Sequence, residues 1–181
     1  MQYANRAIVA AVLGVAASFS GAAQANDGTV TINGLVTAQT CEVSGNGGGP
    51  NFTVTLPTVS TSALATAGAT AGRTPFNIAL TNCTPDSGNV GVYFEPDATV
   101  DAVTGRLTNT ANDGAKNVQV GLLNADHSDI RLGAQESGQN LQYVPVAGGS
   151  ATLNYFAQYV ATDKATAGAV TARSLYSIVY Q

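Results

Sequence analysis

The chain has 181 residues, of which 45% are hydrophobic and only 10% are charged, and its formal net charge is −4 at pH 7. This length suits one domain with its own core. Because the Lys and Arg residues are scattered singly, no basic patch is available for nucleic acid or for an anionic membrane surface.

The first 25 residues have the features of a cleaved export signal. A positive start at Met1 and Arg6 precedes an uncharged, mostly apolar run that is too short to span a bilayer comfortably. Ala23, Gln24 and Ala25 then form the small-x-small pattern of a signal peptidase site. We therefore expect residues 1–25 to be removed on export, and a retained N-terminal anchor is the alternative.

The segment directly after this site has the alternation of a half-buried strand. One face carries Val30, Ile32, Gly34 and Val36. A strand at a free N-terminus can leave its own domain and fill the sheet edge of another chain. It can also pair with the C-terminal strand of its own domain, and the spacing is compatible with both arrangements.

The two cysteines of the chain are Cys41 and Cys83. Export places them in an oxidising compartment, so we expect one disulfide. A metal pair and a catalytic thiol are the alternatives. Two cysteines with a single histidine are too few for a closed zinc site, and no residue pattern marks a base that would activate a thiol.

Short segments of alternating polarity continue along the chain, separated by turn residues. Their apolar positions are Phe52/Val54/Leu56, Phe76/Ile78/Leu80, Val90/Val92/Phe94, Val118/Val120/Leu122, Leu153/Tyr155/Ala157/Tyr159 and Tyr176/Ile178/Tyr180. Clusters of Gly, Asn, Asp and Pro lie between them. Residues 60–72 are the one place where a short helix is expected. Many short strands at modest spacing predict an all-β sandwich or barrel.

Residues that could support catalysis are few. His127 is the only histidine, and its polar neighbours favour a surface turn over a catalytic relay. The carboxylates Glu95, Asp97 and Asp101 follow no metal-loop signature, so a solvated rim is expected there. We predict no enzyme activity, no metal and no cofactor.

Taken together, these features resemble chaperone-usher pilins of the type 1 fimbrial subunit family. The alternation in residues 28–41, ending at Cys41, is similar to the family's N-terminal extension. At the other end, Gly168 is fourteenth from the C-terminus, Tyr180 is penultimate, and Tyr176 and Ile178 alternate with Tyr180 as in the family's terminal strand. Cys41 and Cys83 also fall where these pilins place their single bridge.

The resemblance implies an incomplete immunoglobulin-like β-sandwich, completed by a donor strand from a neighbouring subunit. Residues 26–37 would be the donor-strand extension and residues 38–181 the pilin domain. Val30, Ile32 and Val36 would insert into the neighbour's groove, with Gly34 at a point too shallow for a side chain. The groove strand that a chaperone recognises would carry Gly168, Tyr176, Ile178 and Tyr180.

The resemblance also implies the partners and the location of the chain. A periplasmic chaperone would lend a strand to the groove, and at the outer-membrane usher the extension of an identical or related pilin subunit would replace it. The product would be a cell-surface adhesive fimbria built head to tail, with no membrane span after cleavage. A minor tip or adaptor subunit is the alternative, as is a carbohydrate-binding adhesin, for whose additional lectin domain this chain has little room.

Overall fold

The structure is a computed structural model, which describes Val30, Thr31, Val36, Ala38 and residues 40–181. The predicted signal segment, residues 1–25, lies outside the described residues, as do Ile32 and Gly34 of the predicted donor segment. The architecture described below belongs to the unit Val36–Gln181.

Two antiparallel sheets make up the described fold. The larger sheet has the order β1-β2-β8-β6-β5-β4, and the smaller has the order β7-β3-β9. The strands are β1 Thr40–Gly45, β2 Thr70–Thr84, β3 Asn89–Phe94, β4 Val100–Asp101, β5 Arg106–Thr108, β6 Val118–Asn124, β7 Val144–Pro145, β8 Ala151–Ala161 and β9 Tyr176–Tyr180. Two single-turn 3-10 helices, Thr61–Leu64 and Glu136–Gly138, lie in the connections.

The long strands β2 and β8 form the centre of the larger sheet. They pair from Thr70↔Val160 to Leu80↔Ala151, and the register shifts between Ala71 and Thr74. Gly72 lies in this bulge with φ +68, a conformation that favours glycine. Because side chains alternate along a strand, β2 directs Phe76, Ile78 and Leu80 into the core.

The core lies between the two sheets and has an aromatic centre. Tyr155 of β8 has its ring centroid 5.5 Å from that of Phe76 on the same sheet and 5.5 Å from that of Phe94 on β3 of the other sheet. Such offset and edge-to-face contacts stabilise a core beyond the area that they bury. Val90 and Val92 of β3 are fully buried against the same cluster.

The predicted all-β sandwich is confirmed, and five of the predicted strands are present as β2, β3, β6, β8 and β9. The 3-10 helix at Thr61–Leu64 falls in the region where a short helix was expected. Cys41 and Cys83 form the predicted disulfide, which joins β1 to the end of β2. One prediction differs: the segment of Phe52, Val54 and Leu56, predicted as a strand, belongs to neither sheet.

Within the described residues, no helix is long and apolar enough to cross a membrane. The same part of the chain contains no cluster of three or more His, Cys, Asp or Glu that could hold a metal ion. His127 lies in a turn after β6, with its ring against Phe156 at 4.7 Å between centroids.

Candidate functional site

A groove of about 610 Å³ runs along one side of the sandwich, where the two sheets are not joined. We call residues 51–59 the free wall and residues 169–180 the anchored wall. Core side chains from both sheets lie at the base of the groove: Phe76, Ile78, Phe94, Leu107, Val120, Leu122 and Ala157. The groove therefore leads directly to the hydrophobic core.

The free wall is held by its side chains alone. Phe52, Val54 and Leu56 are half-buried and pack on the core, whereas the threonines between them face solvent. No described hydrogen bond uses a main-chain group of residues 51–59. The ring of Phe52 lies over Gly45, where any Cβ would collide with it, and its centroid is 6.0 Å from that of Phe76.

The C-terminal part of the anchored wall is β9, an edge strand paired with β3 on one side. Asn89 and Gln181 exchange two main-chain hydrogen bonds of 2.9 and 2.8 Å, which fixes the alternation along this antiparallel pair. The main-chain N–H and C=O groups of Tyr176, Ile178 and Tyr180 consequently point away from β3, at the free edge of the smaller sheet. Their half-buried side chains pack against the core.

Beyond β9, Arg173 holds the anchored wall to the loop after β3. Its carbonyl accepts a hydrogen bond from Thr99 Oγ1 at 3.3 Å, and its guanidinium pairs with Asp97 at 3.1 Å. The Asp97 carboxylate also accepts the main-chain N–H of Thr99, and this bond, together with the Arg173 charge, holds the pKa of Asp97 below its usual value.

Asn109 binds the far end of the anchored wall through its side-chain amide. Its Nδ2 donates to Ala169 O at 2.9 Å, and its Oδ1 accepts the main-chain N–H of Thr171 at 2.9 Å. Thr110 adds a main-chain hydrogen bond of 2.8 Å to Thr171 O. No described hydrogen bond uses the main-chain groups of Val170, Ala172 or Ser174, so these groups are unpaired on the groove side.

One hydrogen bond crosses the end of the groove. Tyr176 Oη, on the anchored wall, donates to Pro50 O at 2.7 Å, directly before the free wall. The Tyr176 ring also meets Phe52 edge-on, with 6.3 Å between centroids. Burial raises the pKa of Tyr176, so its hydroxyl keeps its proton and remains a donor at physiological pH.

The predicted site residues Tyr176, Ile178 and Tyr180 lie along β9, and of these Tyr176 lines the groove. Gly168 lies outside β9, before the anchored wall begins, and packs so closely on the main chain that a Cβ would be 2.8 Å from the carbonyl carbon of Gly114. The side chain of Val36 is 99% exposed. Val30 is 86% exposed, and the predicted roles of Ile32 and Gly34 lie outside the described residues.

Two parts of the groove were not predicted from the sequence. Val170, Ala172 and Ser174 alternate in phase with β9, but small and polar side chains give this stretch too weak an apolar period to be recognised. No local sequence pattern marks Asn109, because its hydrogen-bond partners in the wall lie about 60 residues away in the chain.

The chemistry of the groove is that of a sheet with one strand absent. Both walls present unpaired main-chain donors and acceptors, and the base is apolar. An extended chain with alternating apolar side chains satisfies both at once. The fold and the groove thus define a class of protein, the strand-accepting immunoglobulin-like sandwich.

Comparison with known proteins narrows the class to one family. The family model described as FimA, type-1 fimbrial protein, A, matches residues 56–181. The major fimbrial subunit SMF-1 of Stenotrophomonas maltophilia is 52% identical over 164 residues, covering 88% of this chain and 95% of the relative. The F17 fimbrial protein of Escherichia coli is 48% identical over 176 residues, covering 94% and 97%.

The crystal structure of the P pilus rod subunit PapA shares the fold. It superposes with a TM-score of 0.60 at 20% identity, covering 78% of this chain and 99% of PapA. The chain belongs to the type-1 fimbrial protein family, as its sequence features predicted. This membership points to a structural protein, without enzyme activity, of a pilus on the cell surface.

Proposed function

We propose that the chain is a structural subunit of a fimbria, and that each copy fills the groove of the next with its N-terminal strand. The proposal rests on the groove, in which two walls with unpaired main-chain groups border an opening into the core. Exposed core is unstable in water, so an occupant of matching pattern is required.

The proposed occupant is the segment of residues 26–37 from a neighbouring copy. The segment has the two-residue period that matches an extended strand between the walls, with apolar side chains at Val30, Ile32 and Val36. Gly34 would occupy the point of the groove that is too shallow for a side chain. Each such anchor contributes about 1.5–3 kcal/mol when fully buried. Because the donor segment and the groove residues are different parts of the chain, the contact is head-to-tail and the assembly grows as an open fibre.

The same groove explains the proposed partners before assembly. A periplasmic chaperone keeps the subunit soluble by lending an extended strand to the walls, and Tyr176, Ile178 and Tyr180 are the residues it pairs with. At the outer-membrane usher, the donor strand of the next subunit takes its place. The major-subunit role is favoured over a tip or adaptor role by the 52% identity to a major fimbrial subunit.

Deletion of residues 26–37 tests the donor role. We expect the shortened chain to be secreted to the periplasm and to form a soluble complex with its chaperone, because the groove is intact. It should yield no SDS-resistant ladder on gels of unheated samples, since it has no strand to donate. A shortened chain that still forms the ladder would disprove the proposal.

Electron microscopy of cells that lack the protein tests the major-subunit role. A major subunit supplies the length of the filament, so its loss should remove the filaments altogether. Filaments of normal number that are only shortened, or that fail to bind host cells, would instead identify a minor or tip subunit.

A further inference from the structure

We propose that Asn109 is a positioning residue for strand capture: its side-chain amide extends the anchored wall so that the groove holds the whole donor strand. The inference rests on the proposed function. It concerns a residue that lies outside the groove lining, behind the wall.

The need for such a residue follows from the length of β9. This strand has five residues, Tyr176–Tyr180, because its partner β3 ends at Phe94 and Pro96 follows soon after. A strand advances about 3.3 Å per residue, so β9 alone is shorter than the stretch from Val30 to Val36. The wall must keep a strand conformation beyond Tyr176 to meet all the donor's anchors.

Asn109 supplies what a neighbouring strand would supply there. In an antiparallel ladder, the C=O of one residue and the N–H of the residue two positions later face the same neighbour. Asn109 Nδ2 donates to Ala169 O and its Oδ1 accepts the N–H of Thr171, both at 2.9 Å, so the carboxamide supplies a donor and an acceptor of the kind that a neighbouring strand would offer. The main-chain N–H of Ala115 also donates to Ala169 O, at 2.9 Å.

The remaining contacts of Asn109 fix the amide itself. Its Nδ2 also donates to Ala115 O at 2.9 Å, and its Oδ1 also accepts the N–H of Ala111 at 3.0 Å. All four hydrogen-bonding directions are thus engaged. Because Ala169 and Thr171 are hydrogen-bonded on the side away from the groove, Val170 and Ala172 between and after them direct their unpaired main-chain groups and half-buried side chains toward the groove.

The test uses the full chain without its signal segment and with Ile32→Asp, a substitution that stops it from donating its own strand but leaves its groove unchanged. The probe is a synthetic peptide of residues 26–37 with a fluorescent label, and the dissociation constant is measured by anisotropy. In this acceptor, Val30→Ala or Val36→Ala in the peptide should each weaken binding on the order of tenfold.

Asn109→Asp removes the amide donors and keeps the acceptor. We expect it to weaken binding of the unsubstituted peptide on the order of tenfold. One of the two peptide valines should lie against residues 169–172 of the acceptor. In the Asn109→Asp acceptor, substitution of that valine by alanine should cause little further loss of affinity. Substitution of the other valine should keep its effect, since β9 is intact. Such selective coupling is not produced by general destabilisation.

Asn117→Asp is the matched control. Asn117 Nδ2 donates to Lys164 O at 3.0 Å and makes no contact with the anchored wall. This variant should bind all three peptides like the parent. If Asn109→Asp does not give a folded chain, Thr110→Val replaces it; this variant removes the Oγ1 bond of 3.1 Å to Thr171 O and should give the same selective coupling at smaller size.

Two results separate the inference from the proposed function. If the parent acceptor does not bind the peptide, the proposed function is wrong. If the parent binds but the Asn109 or Thr110 variant binds equally well, or loses affinity with both valine effects unchanged, then the positioning role alone is wrong.

Discussion

The two walls of the groove differ in how they are held. On its side away from the groove, the anchored wall is held by pairing with β3, by the ion pair of Arg173 with Asp97, and by the hydrogen bonds of Asn109. Its groove-facing edge therefore has a fixed conformation before any strand binds. The free wall has no main-chain hydrogen bond to any described residue and depends on three half-buried side chains.

This difference assigns the walls different tasks in strand capture. A pre-set edge lowers the ordering cost of binding, because fewer groups lose freedom when the strand arrives. The free wall can shift to fit the incoming side chains and then gain its first ladder hydrogen bonds. The anchored wall thus offers a fixed edge and the free wall an adjustable one, and substitutions in each wall should separate the two tasks.

Removal of the disulfide should have the largest effect, because the bridge fastens the edge strand β1, which precedes the free wall in the chain, to β2. The bridge closes a separation of 42 residues. We expect Cys41→Ser with Cys83→Ser to lower the free energy of unfolding by about 4 kcal/mol in the chain-entropy model, measured by urea unfolding with the peptide of residues 26–37 in the groove. Glu42→Gln, on the exposed face of β1, should change it by less than about 0.5 kcal/mol.

Phe52→Ala should detach the free wall while sparing the anchored one. Its ring joins Gly45, Phe76 and Tyr176, so its loss should lower the free energy of unfolding by about 2 kcal/mol, less than for a fully buried phenylalanine. Thr53→Ala, one position along and facing solvent, is the control. An equal effect of the two substitutions would contradict the view that side chains alone hold this wall.

Tyr176→Phe removes the hydrogen bond across the end of the groove and keeps the ring. We expect a loss of about 1 kcal/mol in the unfolding free energy of the unoccupied chain. Tyr93→Phe is a suitable comparison, because the Tyr93 hydroxyl donates to Ala134 O at 3.2 Å, away from the groove lining. If only Tyr93→Phe destabilises the chain, the bond to Pro50 does not join the walls.

The smallest effect should come from the Asp97–Arg173 pair. Since the pKa of Asp97 is lowered below 3.8 in the folded chain, its ionised form stabilises the fold above that pH, and this contribution disappears as the pH falls through the folded pKa. Asp97→Asn should therefore lower the urea midpoint slightly at pH 7 and by less at pH 2. A shift of equal size at both pH values would exclude an electrostatic origin.

The contrast between the walls also marks what the sequence could predict. β2, β3, β6, β8 and β9 were predictable because large apolar residues recur at every second position along them. Phe52, Val54 and Leu56 have the same alternation but belong to neither sheet, so the pattern alone could not distinguish an unpaired wall from a sheet strand. The role of Asn109 could not be predicted from the sequence, because it arises only when the fold brings two distant segments together.

The position of the disulfide has a mechanical consequence for a fibre under tension. If residues 26–37 are gripped by a neighbour, a pull on the fibre enters this domain at Cys41, a few residues after the donor segment. The bridge passes the load directly to Cys83 on β2, a strand of fifteen residues paired on both sides. The load that enters at Cys41 therefore reaches the larger sheet without passing along the chain through residues 51–59.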